Sequence, residues 1–183
     1  MQFNKSLLTA TLLAAVSLTA VSANAAGTAT GNFDVKIKIV SACTVDAATG
    51  AQDINFGEVA AGTAITQTSL QSKTSATALS VKCSKGAPYV INLTPSSKKT
   101  DGTGIMTRTS APTDTINYQL SSTTGTYTAW GNTGSLGATG NGVGGTGTGV
   151  TKVINHPVYA TVTGSTDVTV GDYADTVNVS VIY

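Results

Sequence analysis

From Ala29 to Ile39 the chain alternates between small or apolar and polar residues without a break. Ala29, Gly31, Phe33, Val35, Ile37 and Ile39 occupy the odd positions, and Thr30, Asn32, Asp34, Lys36 and Lys38 the even ones. Residues two apart share a face of an extended chain, so this pattern predicts a strand over Thr28–Val40, apolar on one side and charged on the other. Further strands are expected at Asp53–Phe56 (closed by Gly57), Thr77–Lys82, Tyr89–Thr94 (opened by Pro88), Thr115–Ser121 and Tyr127–Trp130. Pro95–Gly104 reads as a polar loop carrying Lys98, Lys99 and Asp101, and the Gly/Thr/Asn tract Gly131–Gly149 as a flexible loop or an excursion with few packing demands. Val153–Val162 is a strand interrupted by Pro157, which places it at an edge or a bulge. Tyr173–Tyr183 closes the sequence with Val177, Val179, Val181 and Tyr183 on one face and Asn178 and Ser180 on the other. A strand at a chain end needs something to hold it, because ends normally fray. No helix and no fixed-period repeat is evident after the first 25 residues. Six to eight short strands at this spacing predict an all-β fold, an immunoglobulin-like β-sandwich.

The first 25 residues have a different pattern. Lys5 precedes an apolar, small-residue run from Leu7 to Val21, and Ala23-Asn24-Ala25 forms a small-x-small cleavage site. This predicts a signal peptide over 1–25, with the mature chain starting near Ala26 and passing through a secretory route. The cysteines are then read for an oxidising compartment. There are two, Cys43 and Cys83, both in the mature chain. They are not spaced as Cys-x-x-Cys, and a single histidine cannot complete a zinc site with them, so a structural disulfide is the expectation. Closing a loop of that length is worth about 4 kcal/mol by chain entropy.

Composition removes other classes. Of 183 residues, 10% are charged and 40% hydrophobic, too apolar for a disordered chain. A formal net charge of +1 gives no footprint for nucleic acid. No membrane-spanning run follows the signal segment. His156 is the one histidine, and it precedes Pro157 in a strand-like run with no nucleophile motif nearby, so a strand or surface histidine is expected rather than a catalytic one. Asp172 and Asp175 flank Tyr173 as turn and strand-entry residues rather than paired catalytic carboxylates. The Gly-x-Gly-x-x-Gly match at Gly140–Gly145 lacks the strand and helix that a dinucleotide site requires. The sequons at Asn92 and Asn178 fall inside expected strands, and Lys98-Lys99 reads as a solvated loop. No catalytic residue, cofactor or metal is expected.

What the pattern suggests is recognition by strand addition. Thr28–Val40 is either the first strand of its own sandwich or a donor strand offered to another subunit's groove. Burying Phe33, Val35, Ile37 and Ile39 would contribute roughly 6–12 kcal/mol before ordering costs.

Several separated pieces resemble the spore coat protein U family, which includes subunits of archaic chaperone–usher pili. They are the alternating N-terminal strand running into Cys43; Ile54-Asn55-Phe56-Gly57; Val81-Lys82-Cys83-Ser84-Lys85-Gly86 followed by Tyr89-Val90-Ile91; Ile116-Asn117-Tyr118-Gln119-Leu120; Trp130-Gly131; and Gly171-Asp172-Tyr173-Ala174-Asp175-Thr176-Val177. The long tract after Trp130 departs from that pattern. The resemblance implies an incomplete immunoglobulin-like β-sandwich, completed by a donor strand from a neighbouring subunit. It further implies a division into a 1–25 signal peptide, a 26–40 donor strand and a 41–183 pilin-type domain. The donor residues are then Ala29, Gly31, Phe33, Val35, Ile37 and Ile39, and the acceptor groove is Val177, Val179, Val181 and Tyr183. The implied role is a structural, non-enzymatic subunit, preferably of the shaft, in a cell-surface pilus supporting adhesion or biofilm. Its partners would be like subunits in a homo-polymer, a periplasmic chaperone and an outer-membrane usher. Two alternatives stand beside it: a secreted coat or matrix protein of the same fold that does not polymerise, and a carbohydrate-binding adhesin module using Tyr127, Trp130 and the Gly-rich tract.

Overall fold

A computed structural model describes residues 26–48, 50–111, 113–124 and 128–183. The expected signal peptide and Tyr127 lie outside the described residues. The chain divides into two units, Met1–Lys38 and Ile39–Tyr183.

Among its described residues the second unit is all-β, with one short 3-10 turn at Thr68–Leu70. Its strands are β1 (Cys43–Asp46), β2 (Lys73–Thr74), β3 (Leu79–Cys83), β4 (Pro88–Pro95), β5 (Thr103–Arg108), β6 (Thr115–Ser121), β7 (Val143–Thr146), β8 (Ile154–His156), β9 (Tyr159–Val162), β10 (Tyr173–Ala174) and β11 (Val177–Ile182). All pairings are antiparallel. They form three sheets, ordered β1-β3-β8, β11-β4-β7 and β10-β5-β6-β9-β2. In the first two, chain order and pairing match immunoglobulin strands A-B-E and F-C-C′. The fold is therefore an immunoglobulin-like sandwich, and the five-stranded sheet is built from the connections between those strands. In a complete sandwich a further strand, G, lies beside F; among the described residues no strand pairs with that edge of β11.

The core draws on all three sheets. Val81 and Cys83 from β3, Tyr89, Ile91 and Leu93 from β4, Tyr118 and Leu120 from β6, and Ala160 from β9 pack around Trp130. Cys43 and Cys83 stand opposite each other in the β1–β3 ladder and form the disulfide, with Cα atoms 4.1 Å apart. Trp130 is 1% exposed, and its indole N–H donates to the Ile91 carbonyl at 2.9 Å. It is a core residue and unavailable for stacking a sugar.

Several expectations change. Asp53–Phe56 forms no ladder, although Ile54 and Phe56 are half-buried against the core as alternate residues of an extended segment. Val153–Val162 divides at Pro157 into β8 and β9, which join different sheets. Proline has no N–H to continue a ladder, so it suits the crossing point. The expected polar loop ends early: β5 begins at Thr103, and Gly104 sits under Tyr118 across the β5–β6 pair.

The Gly-rich tract is packed. Its β7 extends the edge of β4, and its loop covers β4's second face, so that Val90 and Asn92 are buried along with the core-facing residues. The Asn92 side chain donates to the Gly134 carbonyl at 3.0 Å and accepts from its N–H at 3.1 Å, which removes the first sequon from the surface. Glycine is required here by close approach: a Cβ at Gly145 would lie 2.4 Å from the Tyr89 hydroxyl, and one at Gly134 2.5 Å from Val90.

His156 is half-buried against Trp130 and Tyr89, with its Nε2 2.9 Å from the Tyr89 hydroxyl. Burial holds its pKa below the usual value and raises that of Tyr89.

Two predictions follow from this packing. A Cβ at Gly104 would fall 2.0 Å from the Tyr118 ring, so Gly104→Ala should lower stability by about 1–3 kcal/mol in urea unfolding. Because folding lowers the His156 pKa, the unfolded chain binds more protons between the folded value and about 6.5. Stability should therefore fall as pH drops below about 6.5 and level off once the folded group is also protonated. Thermal melts of His156→Gln should lack this component of the pH slope; an unchanged slope would assign it to other groups.

Candidate functional site

The chemically distinctive feature of the domain is the edge of β11. Val177, Val179 and Val181 stand opposite Pro95, Leu93 and Ile91 of β4, all buried, so the three valines face the core. They are only half-buried, whereas their β4 partners are closed off. The intervening Asn178 and Ser180 are exposed. β1 comes close to β11 and is likewise an edge strand, paired among the described residues only with β3. Cys43, Ile54 and Phe56 are half-buried against the same core. Two neighbouring strands thus each present an unpaired edge over partly covered apolar side chains. Unpaired N–H and C=O groups in such a row are a template for another strand.

Of the four expected acceptor residues, the three valines come together on one face. Tyr183 lies beyond the ladder and is 49% exposed. Ile54 and Phe56 were missed as candidates for this region. The available signal was the Ile-Asn-Phe-Gly piece, whose alternation marked an apolar inward face but not a ladder.

The turn into β11 is fixed by Asp175. Its carboxylate accepts from the Tyr118 hydroxyl at 2.7 Å, from the Thr176 N–H at 2.7 Å, and from the Ser96 hydroxyl. Tyr118 is held well above the usual tyrosine pKa, first by burial and then by its bond to the Asp175 carboxylate. Asp175 is therefore an anchor that ties the start of β11 to β6 and to the end of β4. Asp172 serves the same turn through its backbone, its carbonyl accepting from the Thr109 N–H at 2.9 Å.

The expected donor residues belong to a segment without strand pairing. Residues 26–42 carry no assigned strand, and Phe33, Val35, Ile37 and Ile39 are 87%, 89%, 84% and 78% exposed. Ala29 and Gly31 are exposed with them. On the polar face Lys36 pairs with Asp34 at 2.6 Å. The expected strand thus has its alternation but no ladder partner. Four large apolar side chains in one short segment so exposed are uncommon on a self-contained domain.

Other candidates are taken up by local structure. Asp101 bonds the hydroxyl and N–H of Thr103, which lowers its pKa. Asp114 accepts from the Thr169 N–H at 3.1 Å, and its pKa is lowered through hydrogen bonding to Thr169. Among the described residues no helix is long and apolar enough to cross a membrane.

The geometry defines an all-β immunoglobulin-like domain with an open sheet edge and an unpaired amphipathic segment ahead of its first strand. The Spore Coat Protein U domain description matches residues 29–180, and the chain belongs to that family. No curated protein sequence matches it. Among solved structures, it is similar to one in the crystal structure of the CsuC-CsuE chaperone-tip adhesion subunit pre-assembly complex from the archaic chaperone-usher Csu pili of Acinetobacter baumannii. That similarity has 19% identity and a TM-score of 0.44, covering 79% of this chain. It spans 40% of the matched chain's length.

Proposed function

We propose that the chain is a structural subunit of an extracellular pilus, built head to tail by strand donation between copies. In this reading Ala29, Gly31, Phe33, Val35, Ile37 and Ile39 of one subunit lie along the β11 edge of the next, over Val177, Val179 and Val181, with Tyr183 at the end of the groove. The observation that carries the proposal is a complementary pair of features: an open β11 edge over half-buried valines, and an exposed segment with an uninterrupted apolar face. Membership of the Spore Coat Protein U family supports it.

The proposed organisation is a signal peptide over 1–25, a donor strand over 26–40 and a pilin-type domain over 41–183. A contact between two different surfaces need not close on itself, so repetition gives a linear fibre. An isolated subunit would expose both apolar surfaces. A periplasmic chaperone that lends a strand, followed by exchange at an outer-membrane usher, would keep it soluble until assembly. Donor burial supplies roughly 6–12 kcal/mol from four side chains, to which backbone pairing adds and from which chain ordering subtracts. The shaft is the preferred place for the subunit, with adhesion or biofilm formation as the fibre's use. The sugar-stacking alternative loses one of its residues, because Trp130 is enclosed in the core.

The test uses the full mature chain with its disulfide intact. Wild type should give a ladder on an unboiled gel, and Ile37→Asp, which places a charge on the apolar face, should abolish it. A synthetic 28–40 peptide of wild-type sequence, added to the Ile37→Asp chain, should raise its melting temperature by tens of degrees, while a scrambled peptide should not. A wild-type chain that forms no ladder, together with a variant that ignores the peptide, would leave a self-contained secreted protein as the better reading.

A further inference from the structure

We infer that Asp46, on the outward face of β1, sets the register of the incoming strand by pairing with its Lys36. This inference rests on the donor-strand reading and adds to it the residues that fix where the strand stops.

An apolar face does not fix that position by itself. Val177, Val179 and Val181 repeat every second residue along β11, and Phe33, Val35, Ile37 and Ile39 do the same along the segment. A slip of one residue turns the whole apolar face outward, but a slip of two returns it to the core. Registers two residues apart therefore bury nearly the same side chains and differ only at the ends. The polar face has to separate them.

On that face β11 is no help, because its outward Asn178 and Ser180 are uncharged. β1 is different. Its Cys43 and Val45 stand opposite Cys83 and Val81, both enclosed in the core, so Thr44 and Asp46 point outward. Val45 is 38% exposed although it faces the core, as expected where a neighbouring strand is missing. On the same outward face β3 places Lys82 opposite Thr44 and Ser80 opposite Asp46. Asp46 and Lys82 form no ion pair with each other. Along β1 the face is thus positive at the level of Thr44 and Lys82, and negative at the level of Asp46.

The segment carries Asp34, Lys36 and Lys38 at the same two-residue step. Running parallel to β1 with Lys36 beside Asp46, it sets Asp34 at the level of Lys82. A slip of two in one direction sets Asp34 beside Asp46, and in the other it brings Lys36 to the level of Lys82. Reversing the segment about the Lys36–Asp46 pair brings Lys38 to the level of Lys82. Like charges opposite one another on neighbouring strands are destabilising. The first arrangement alone joins unlike charges at both levels. Before donation Lys36 pairs with Asp34 at 2.6 Å, but both side chains are well exposed, where an ion pair is worth little and is readily exchanged.

The test uses the full mature Ile37→Asp chain, disulfide intact, as acceptor and synthetic 28–40 peptides as donors. Each peptide carries photoreactive benzoylphenylalanine in place of Phe33, so that irradiation and mass mapping report the register. The parent pair should label one position. Asp46→Lys in the acceptor, or Lys36→Glu in the peptide, should each weaken binding about tenfold, and the two together should return to within about threefold of the parent. Asp46→Asn, which carries the test if Asp46→Lys fails to fold, should weaken binding about two- to fivefold and spread the label to a position two residues along. Unchanged affinity and labelling in the Asp46 variants, or no recovery when the two reversals are combined, would overturn the inference. Melting of the acceptor separates the two readings. If the parent peptide stabilises it while the charge variants have no effect, only the role of Asp46 has failed; if the parent peptide does not stabilise it, strand donation has failed as well.

Discussion

The fold is governed by the obligation of backbone polar groups to find partners. Each inner strand of the immunoglobulin-like core meets it on both sides: β3 lies between β1 and β8, and β4 between β11 and β7. Among the described residues β11 meets it on one side only. An edge strand is ordinarily protected by charge, proline, brevity or a covering loop. β11 has none of these along its six residues, Val-Asn-Val-Ser-Val-Ile. Apart from neighbouring β1, whose edge is also unpaired, the domain protects its other edges. Pro157 stands just after β8, β2 and β10 are two residues long, and β7 is glycine-rich and backed by its own loop. The contrast makes the neighbouring β11 and β1 edges a specific feature of the domain rather than a general laxity of its sheets.

That edge is held in place by the rest of the molecule. Asp175 joins the start of β11 to Tyr118 and Ser96, so the strand begins from a fixed point on two other strands. The core behind β11 is closed by β4, whose second face is covered by the Gly-rich loop through the two bonds between Asn92 and Gly134. This gives the Gly-rich tract a physical role: Gly134, Gly142 and Gly145 let it lie directly on β4, where a Cβ at any of the three would collide with β4 atoms.

Period-2 alternation made the strand content and the faces of β6 and β11 legible in the sequence, because each has one buried side. It failed where burial was two-sided or absent. β4 is buried on both faces, so its apolar run marked a strand but gave no hint of what covered the second side. The tract that covers it read as slack because glycine's small size was taken for flexibility rather than close approach. β5 was hidden behind Gly104, whose lack of a side chain makes room for Tyr118. Asp53–Phe56 has the alternation of a strand but no neighbour to pair with. The valines of the candidate groove were readable from one strand, whereas Ile54 and Phe56 approach the core from an irregular segment that no periodicity connects to β11.

In the proposed assembly the alternating segment would carry its own selectivity. Its apolar face alone would suit any apolar surface, including the same face of another copy. Its polar face carries Asp34, Lys36 and Lys38. Two segments paired in register and in parallel would set Lys36 against Lys36 and Lys38 against Lys38, and like charges directly opposite one another on neighbouring strands are destabilising. Beside β11 the outward neighbours are Asn178 and Ser180, both uncharged. Pairing there incurs no such repulsion, and the lysines can remain in water. The charges that disfavour parallel, in-register stacking of the segments are thus compatible with the open β11 edge. A sequence that needed only to be sticky would not require the alternation to be so regular, nor its polar side to be charged.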